Sequence, residues 1–194
     1  MNTMEIRHKA IEIIYHLQKS SNIFELIDTK STHVGILCAT IGNWLKLSQT
    51  DIYHLACAGL LHDIGIMSHS DSDHAKKGFE VLAGKNEFDC SVLLAVLFHH
   101  ELYDGSGFPF GLKGSEIHLF AKILAIADFY HNKSHGQTFL TEYQKYKFLK
   151  ELSLEGQYLY DPEIWEIFVR NMKSHFKEYR SISKDRDSIL TGRA

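Results

Sequence analysis

Residues 48–65 read Ser48-Gln49-Thr50-Asp51-Ile52-Tyr53-His54-Leu55-Ala56-Cys57-Ala58-Gly59-Leu60-Leu61-His62-Asp63-Ile64-Gly65. Ile52, Leu55, Ala56, Gly59 and Leu60 recur at the three-and-four spacing of one helix face. Ser48, with Asp51 three residues on, resembles a capping box in which Asp replaces the usual Glu. The stretch predicts a helix opened at Ser48 and stopped near Gly65. It carries an imidazole and a carboxylate, His62 and Asp63, to the C-terminal end of that helix.

The same period extends in both directions. Ile6, Ala10, Ile13, Ile14 and Leu17 predict a first helix within residues 1–20, followed by an apolar segment, Ile23 to Ile27. A second helix is expected from about Ser31 to Lys46, with Val34, Leu37, Cys38, Ile41, Trp44 and Leu45 inward. Beyond the short polar stretch Met67 to Asp73, helices are expected at His74 to Ala83, Cys90 to Leu102, Glu116 to His131 (capped by Ser115), Thr141 to Leu152 and Pro162 to Tyr179. No segment alternates with period two. The expected architecture is an all-α, single-domain helical bundle. Residues 1–28 would be an N-terminal helix and connector packed on the core, 29–180 the domain itself and 181–194 a tail.

Composition agrees. With 194 residues, 44% of them hydrophobic, the chain can build one well-buried core. Its 2 prolines suit long helices. A net charge of -3 with mixed signs argues against a nucleic-acid polymer as partner. No apolar run approaches the roughly 20 residues of a membrane span, and the charged start is unlike a signal peptide. A cytoplasmic protein is expected. Cys38, Cys57 and Cys90 lie far apart in apolar stretches and are expected as buried thiols. The aromatic residues Tyr158, Tyr160, Trp165 and Phe168 are expected in the core. The 13 histidines are a reason to look for metal.

Placement narrows that search. His62-Asp63 and His99-His100 both close apolar helices. Asp128 lies within Ile123-Leu124-Ala125-Ile126-Ala127, where an unpaired carboxylate is expensive to bury. A cation is the economical partner. Asp63 has two oxygens and can bridge two ions while His62 ligates one. Imidazoles mixed with carboxylates suit Fe, Mn, Co or Zn.

The order His62-Asp63-Ile64-Gly65, His74, His99-His100-Glu101, Asp104-Gly105-Ser106-Gly107-Phe108-Pro109, Gly111-Leu112-Lys113-Gly114 and Ala127-Asp128 resembles the HD-GYP branch of the HD superfamily. The resemblance covers roughly Thr29 to Val169. It implies an enzyme, a metal-dependent phosphodiesterase that hydrolyses cyclic di-GMP. His33, His62, Asp63 and Asp128 would hold one ion, and Asp63 would bridge to a second on His74, His99 and His100. Two divalent ions, iron or manganese, are implied. Asp63 is the catalytic residue, and a metal-activated hydroxide is the nucleophile for in-line attack on phosphorus. The loop residues Asp104, Gly105, Ser106, Gly107, Phe108, Pro109 and Lys113 would fold over the centre and bind substrate or support the ligands. Glu101 is read either as orienting a histidine or as a solvated helix-end residue.

Departures from the family pattern concern the grip on substrate. Ile66 stands where relatives carry Lys, Phe108 replaces the tyrosine, and the segment between Asp63 and His74 is short. Thr29 stands where a third-metal glutamate is expected, and Phe129 to Tyr143 lacks a basic stretch. Lys76, Lys77 and Lys113 are the cations that could substitute. Two alternatives follow: a phosphohydrolase for another nucleotide, and a weakened regulatory module that binds metal or nucleotide without turnover. Product formation from a panel of phosphodiesters separates all three. A homodimer or a sensory partner protein is the expected partner, and any regulatory input is expected from a partner or from sequence outside this chain.

Overall fold

Asp28 opens the first described helix, its carboxylate accepting from the Ser31 amide at 2.7 Å. The structure is a computed structural model that describes residues 28–66, 73–135 and 141–174. The helix expected in the first twenty residues, the segment 23–27, most of the stretch after Ile66 and the tail from 181 lie outside the described residues. The helices are α1 (Thr29–Trp44), α2 (Gln49–Leu61), α3 (His74–Ala83), α4 (Cys90–Phe98), α5 (Leu119–Ser134), α6 (Glu142–Gly156) and α7 (162–174), with a 3-10 turn at Gly114–Glu116. No strand occurs among the described residues, and the fold is all-α as expected.

Caps account for the helix boundaries. Asp28, not Ser31, starts α1, because its short side chain reaches an otherwise unpaired amide of the first turn. Ser48 caps α2, accepting from the Asp51 amide at 3.1 Å. Asp51 is one methylene shorter than Glu and meets the Ser48 hydroxyl instead, at 2.7 Å, so half of the reciprocal box forms. Thr141 and Gln144 form the complete box on α6. α4 stops at Phe98, four residues before the expected Leu102, with His99 as its C-cap. Ser115 does not cap α5. Glu116 accepts from the Lys113 amide, closing the 3-10 turn, Ile117 is extended, and α5 starts afresh with His118 as N-cap.

Close backbone approaches set the geometry of the site. A Cβ on Gly59 of α2 would meet the Gly35 Cα of α1 at 2.7 Å and its nitrogen at 2.9 Å, so only glycine permits this crossing. The crossing brings the start of α1 beside the end of α2. Gly65 does the same for α3. A side chain there would collide with the His74 carbonyl and with the Gly78 amide, 2.5 Å away. Asp63 and His74 are thereby held together.

The core is built from Val34, Cys38, Ile41, Leu55, Leu60, Leu61, Leu82, Val96, Ile123, Leu124, Ile126 and Phe168, all nearly or fully buried. Each of the aliphatic side chains and Phe168 contributes about 1.5–3 kcal/mol by leaving water. Tyr160, Trp165 and Phe168 join it as expected, whereas Tyr158 is exposed. Cys38 and Cys57 are buried; Cys90 opens α4 and is exposed, against expectation. Among the described residues no helix is long and apolar enough to cross a membrane.

Candidate metal centre

α2 and α4 end with the same device. His62 Nδ1 lies 2.8 Å from the Gly59 carbonyl, and His99 Nδ1 lies 2.7 Å from the Val96 carbonyl. A carbonyl only accepts, so each Nδ1 carries the proton and Nε2 faces the interior. Both rings are fully buried. They occupy C-cap positions, where the last carbonyls of a helix need donors.

The inward nitrogens converge. His74 Nε2 is 3.2 Å from His99 Nε2 and 2.9 Å from His100 Nε2. The donor atoms of the three histidines lie within 4.8 Å of one another. Burial, with the charge of His100 and His62 nearby, drives the His99 ring well below the ordinary histidine range. His100 falls to about 4, through burial and then through His74. Three imidazole nitrogens brought this close to one point form a donor set that a cation can join. Asp63 Oδ1 supplies an adjacent charge, 3.5 Å from His74 Nε2 and 4.0 Å from His99 Nε2.

The other half of the cluster is anionic. Asp63 Oδ2 lies 3.1 Å from His62 Nε2, and Asp128 Oδ1 lies 3.4 Å from the same nitrogen. Burial opposes charge on both carboxylates, but His62 and Lys30 outweigh it and hold both carboxyls well below the usual range. Burial also opposes charge on His62, yet Asp128 and Asp63 raise it to about 9. This position stabilises positive charge strongly. His62 Nε2 and Asp128 Oδ1 are buried with no hydrogen-bond partner of good geometry among the described residues. A buried imidazole nitrogen without a hydrogen bond, beside ionised carboxylates, is what a metal ligand looks like before an ion is added. The imidazoles of His74, His99 and His100, with the Asp63 carboxylate beside them, fit a divalent transition ion.

Of the residues expected to hold metal, the structure brings together His62, Asp63, His74, His99, His100 and Asp128. His33 stands apart. It is exposed on α1, its ring centroid 5.6 Å from that of His131. One turn earlier, Lys30 reaches the carboxylates, with Nζ donating to Asp63 Oδ2 at 2.7 Å and lying 3.0 Å from Asp128 Oδ1. The sequence reading missed Lys30, and also Asn132, whose amide donates to Asp128 Oδ2 at 3.0 Å. Lys30 carried a signal, since it shares a helix face with the buried Val34 and Cys38.

The glycine-rich loop closes one side. Glu101 is neither solvated nor bonded to a histidine. It is 2% exposed, and its carboxylate accepts from the Phe110 amide at 2.7 Å and the Leu112 amide at 2.9 Å. Asp104 accepts from the amide and the hydroxyl of Ser106. Gly105 and Gly111 have positive φ, 82° and 67°. A Cβ on Gly107 would run into the backbone of His100, Glu101 and Leu102. Phe108 stacks on His100, centroids 4.5 Å apart, and Pro109 follows it through a cis peptide bond. The Lys113 stem covers Gly105, and the Lys76 ammonium lies 5.7 Å from the Phe110 ring centre. Between loop and α5 lies a cleft of about 320 Å³, lined by His99, His100, Gly107, Phe108, Asp128, Asn132 and Tyr160 among others.

A family model described as an HD domain matches residues 14–164. The chain belongs to the HD-domain family. This HD-domain chain is 29% identical over 178 residues to a cyclic di-GMP phosphodiesterase of Thermotoga maritima, covering 82% of the chain and 48% of the relative. It is 30% identical over 159 residues to the cyclic di-GMP phosphodiesterase response regulator RpfG of Xanthomonas campestris pv. campestris, covering 73% and 41%. The HD-domain chain thus spans about half the length, or less, of these relatives. The solved structure of Bd1817, described as an HDG"Y"P protein from Bdellovibrio bacteriovorus, shares its fold. The TM-score is 0.61 at 18% identity, over 89% of this chain and 65% of the other.

Proposed function

We propose that this HD-domain chain is a metal-dependent phosphodiesterase that hydrolyses a cyclic dinucleotide, cyclic di-GMP above others. The observation that carries the reading is the meeting of His74, His99 and His100 Nε2 beside Asp63. The names of the relatives supply the substrate. Iron or manganese suits the mixture of imidazole and carboxylate. A bound divalent ion supplies Lewis acidity at the phosphoryl oxygens and lowers the pKa of water.

The chain's own groups do the rest. Asp63 stays ionised and directs Oδ1 toward the histidine cluster, where it can face the ion and orient a water by accepting a hydrogen bond from it. His62 and Lys30 fix the other oxygen. Asn132 orients Asp128. The cleft of about 320 Å³ admits one phosphodiester with part of its nucleoside, near the lower bound of roughly 300 Å³ for ligand pockets. Phe108, 44% exposed and stacked on His100, offers a base an aromatic wall at its mouth.

The test is anaerobic loading of the full chain with Mn(II) or Fe(II), addition of cyclic di-GMP, and chromatographic detection of the linear dinucleotide. Turnover is expected, with loss on chelation and in Asp63→Ala. Absence of product from any cyclic dinucleotide, with metal-replete protein, overturns the reading. Binding without turnover is the second reading. It is favoured by Ile66, an exposed aliphatic side chain where a cation is expected.

A further inference from the structure

We infer that the Lys30 ammonium stands in for one of the two expected cations, so that the chain holds a single divalent ion on His74, His99 and His100. This rests on the metal-dependent reading above. A second ion would need Asp63 Oδ2, Asp128 Oδ1 and His62 Nε2. Lys30 Nζ already lies 2.7 Å from the first oxygen and 3.0 Å from the second. An ion bonds such atoms at about 2.0–2.2 Å, so its place between the two oxygens overlaps the ammonium.

Charge leads to the same conclusion. Asp63 and Asp128 contribute two negative charges, and the Lys30 ammonium pairs with both carboxylates. A dication added beside it would meet an ammonium that is only 29% exposed and therefore poorly screened by water. The backbone that carries the side chain is fixed in place. The side chain leaves α1 one turn before Val34, which is fully buried, on a helix locked against α2 at Gly35 and Gly59. Asp63 still bridges two positive charges: its Oδ2 contacts the ammonium, and its Oδ1 faces His74 and His99. Lys30 is on this account a positioning residue, holding both carboxylates ionised and oriented toward the remaining ion.

Metal stoichiometry tests this independently of turnover. The full chain is stripped with chelator, saturated with Mn(II), freed of excess ion and assayed for manganese per chain. Mn(II) titration calorimetry gives the same number in solution. The wild type is expected at one ion per chain, and Lys30→His, which replaces the ammonium with a ligand, at two. Lys30→Met keeps the bulk of the stem without its charge and guards against a histidine variant that fails to fold. It is expected to gain a second, weaker site. Two ions in the wild type overturn the inference however the variants behave, and leave the metal-dependent reading standing. One ion in the wild type and in both folded variants also overturns it, because the limit then lies elsewhere. No ion in the wild type sinks the metal-dependent reading itself.

Discussion

His62 and His99 do structural and chemical work with opposite edges of one ring. Nδ1 satisfies a carbonyl at the end of a helix, and Nε2 faces the cluster. Truncation therefore removes two things at once. His99→Ala is expected to lose about 2–4 kcal/mol in chemical denaturation, from the vacated core volume and the orphaned Val96 carbonyl. It is also expected to weaken Mn(II) binding by at least about 100-fold, beyond the 10–100-fold typical when only a supporting group is lost. Unchanged affinity, measured by calorimetry, would remove His99 from the ligand set. At this scale the sequence was informative where chemistry is rare: His62, His99, His100 and Asp128 stood out as polar groups ending or interrupting apolar runs. It did not separate Lys30 from His33. The two are three residues apart and share one face of α1, and only the tertiary crossing at Gly35 and Gly59 decides which of them reaches the carboxylates.

Helix ends and one loop hold these residues in register. Caps made the helices legible, and the boundaries slipped where a second candidate competed, as with Asp28 against Ser31 and His118 against Ser115. The loop was legible as a turn-rich segment, but its anchor was not. Glu101 follows two histidines and reads as a ligand's helper, yet its partners are the amides of Phe110 and Leu112, nine and eleven residues away. No local pattern encodes such a return. Glu101→Ala leaves both amides without their acceptor. A loss of about 2–4 kcal/mol is expected, with faster amide exchange at Phe110 and Leu112 than in α2 or α5. Exchange that rises equally everywhere would mean that Glu101 supports the global fold rather than the loop. Gly107→Ala strikes the same loop from the other side, since its Cβ meets backbone that cannot swing away. A loss of about 1–3 kcal/mol is expected, read in the same denaturation experiment.

The centre draws on α1, α2, α3, α4 and α5 at once, helices that already share one core, so in the whole molecule an ion adds a clasp that ties α3 to the end of α4 beside Asp63. Anything that binds the folded state alone stabilises it by mass action. Free Mn(II) at 100 times its Kd is worth about 2.7 kcal/mol. For a chain of this size that corresponds to a rise of roughly 5–10 °C in melting temperature, reversed by chelator. His100→Ala removes one Nε2 from the cluster and is expected to abolish most of that rise. Glu101→Gln, which keeps one acceptor oxygen for the loop, is expected to lower the melting temperature of the metal-free protein yet retain the increment. Differential scanning calorimetry of the three proteins, with and without Mn(II), separates the two kinds of contribution. An increment of equal size in His100→Ala would place the ion away from the histidine cluster and would detach the chemistry proposed for Asp63 from the architecture that surrounds it.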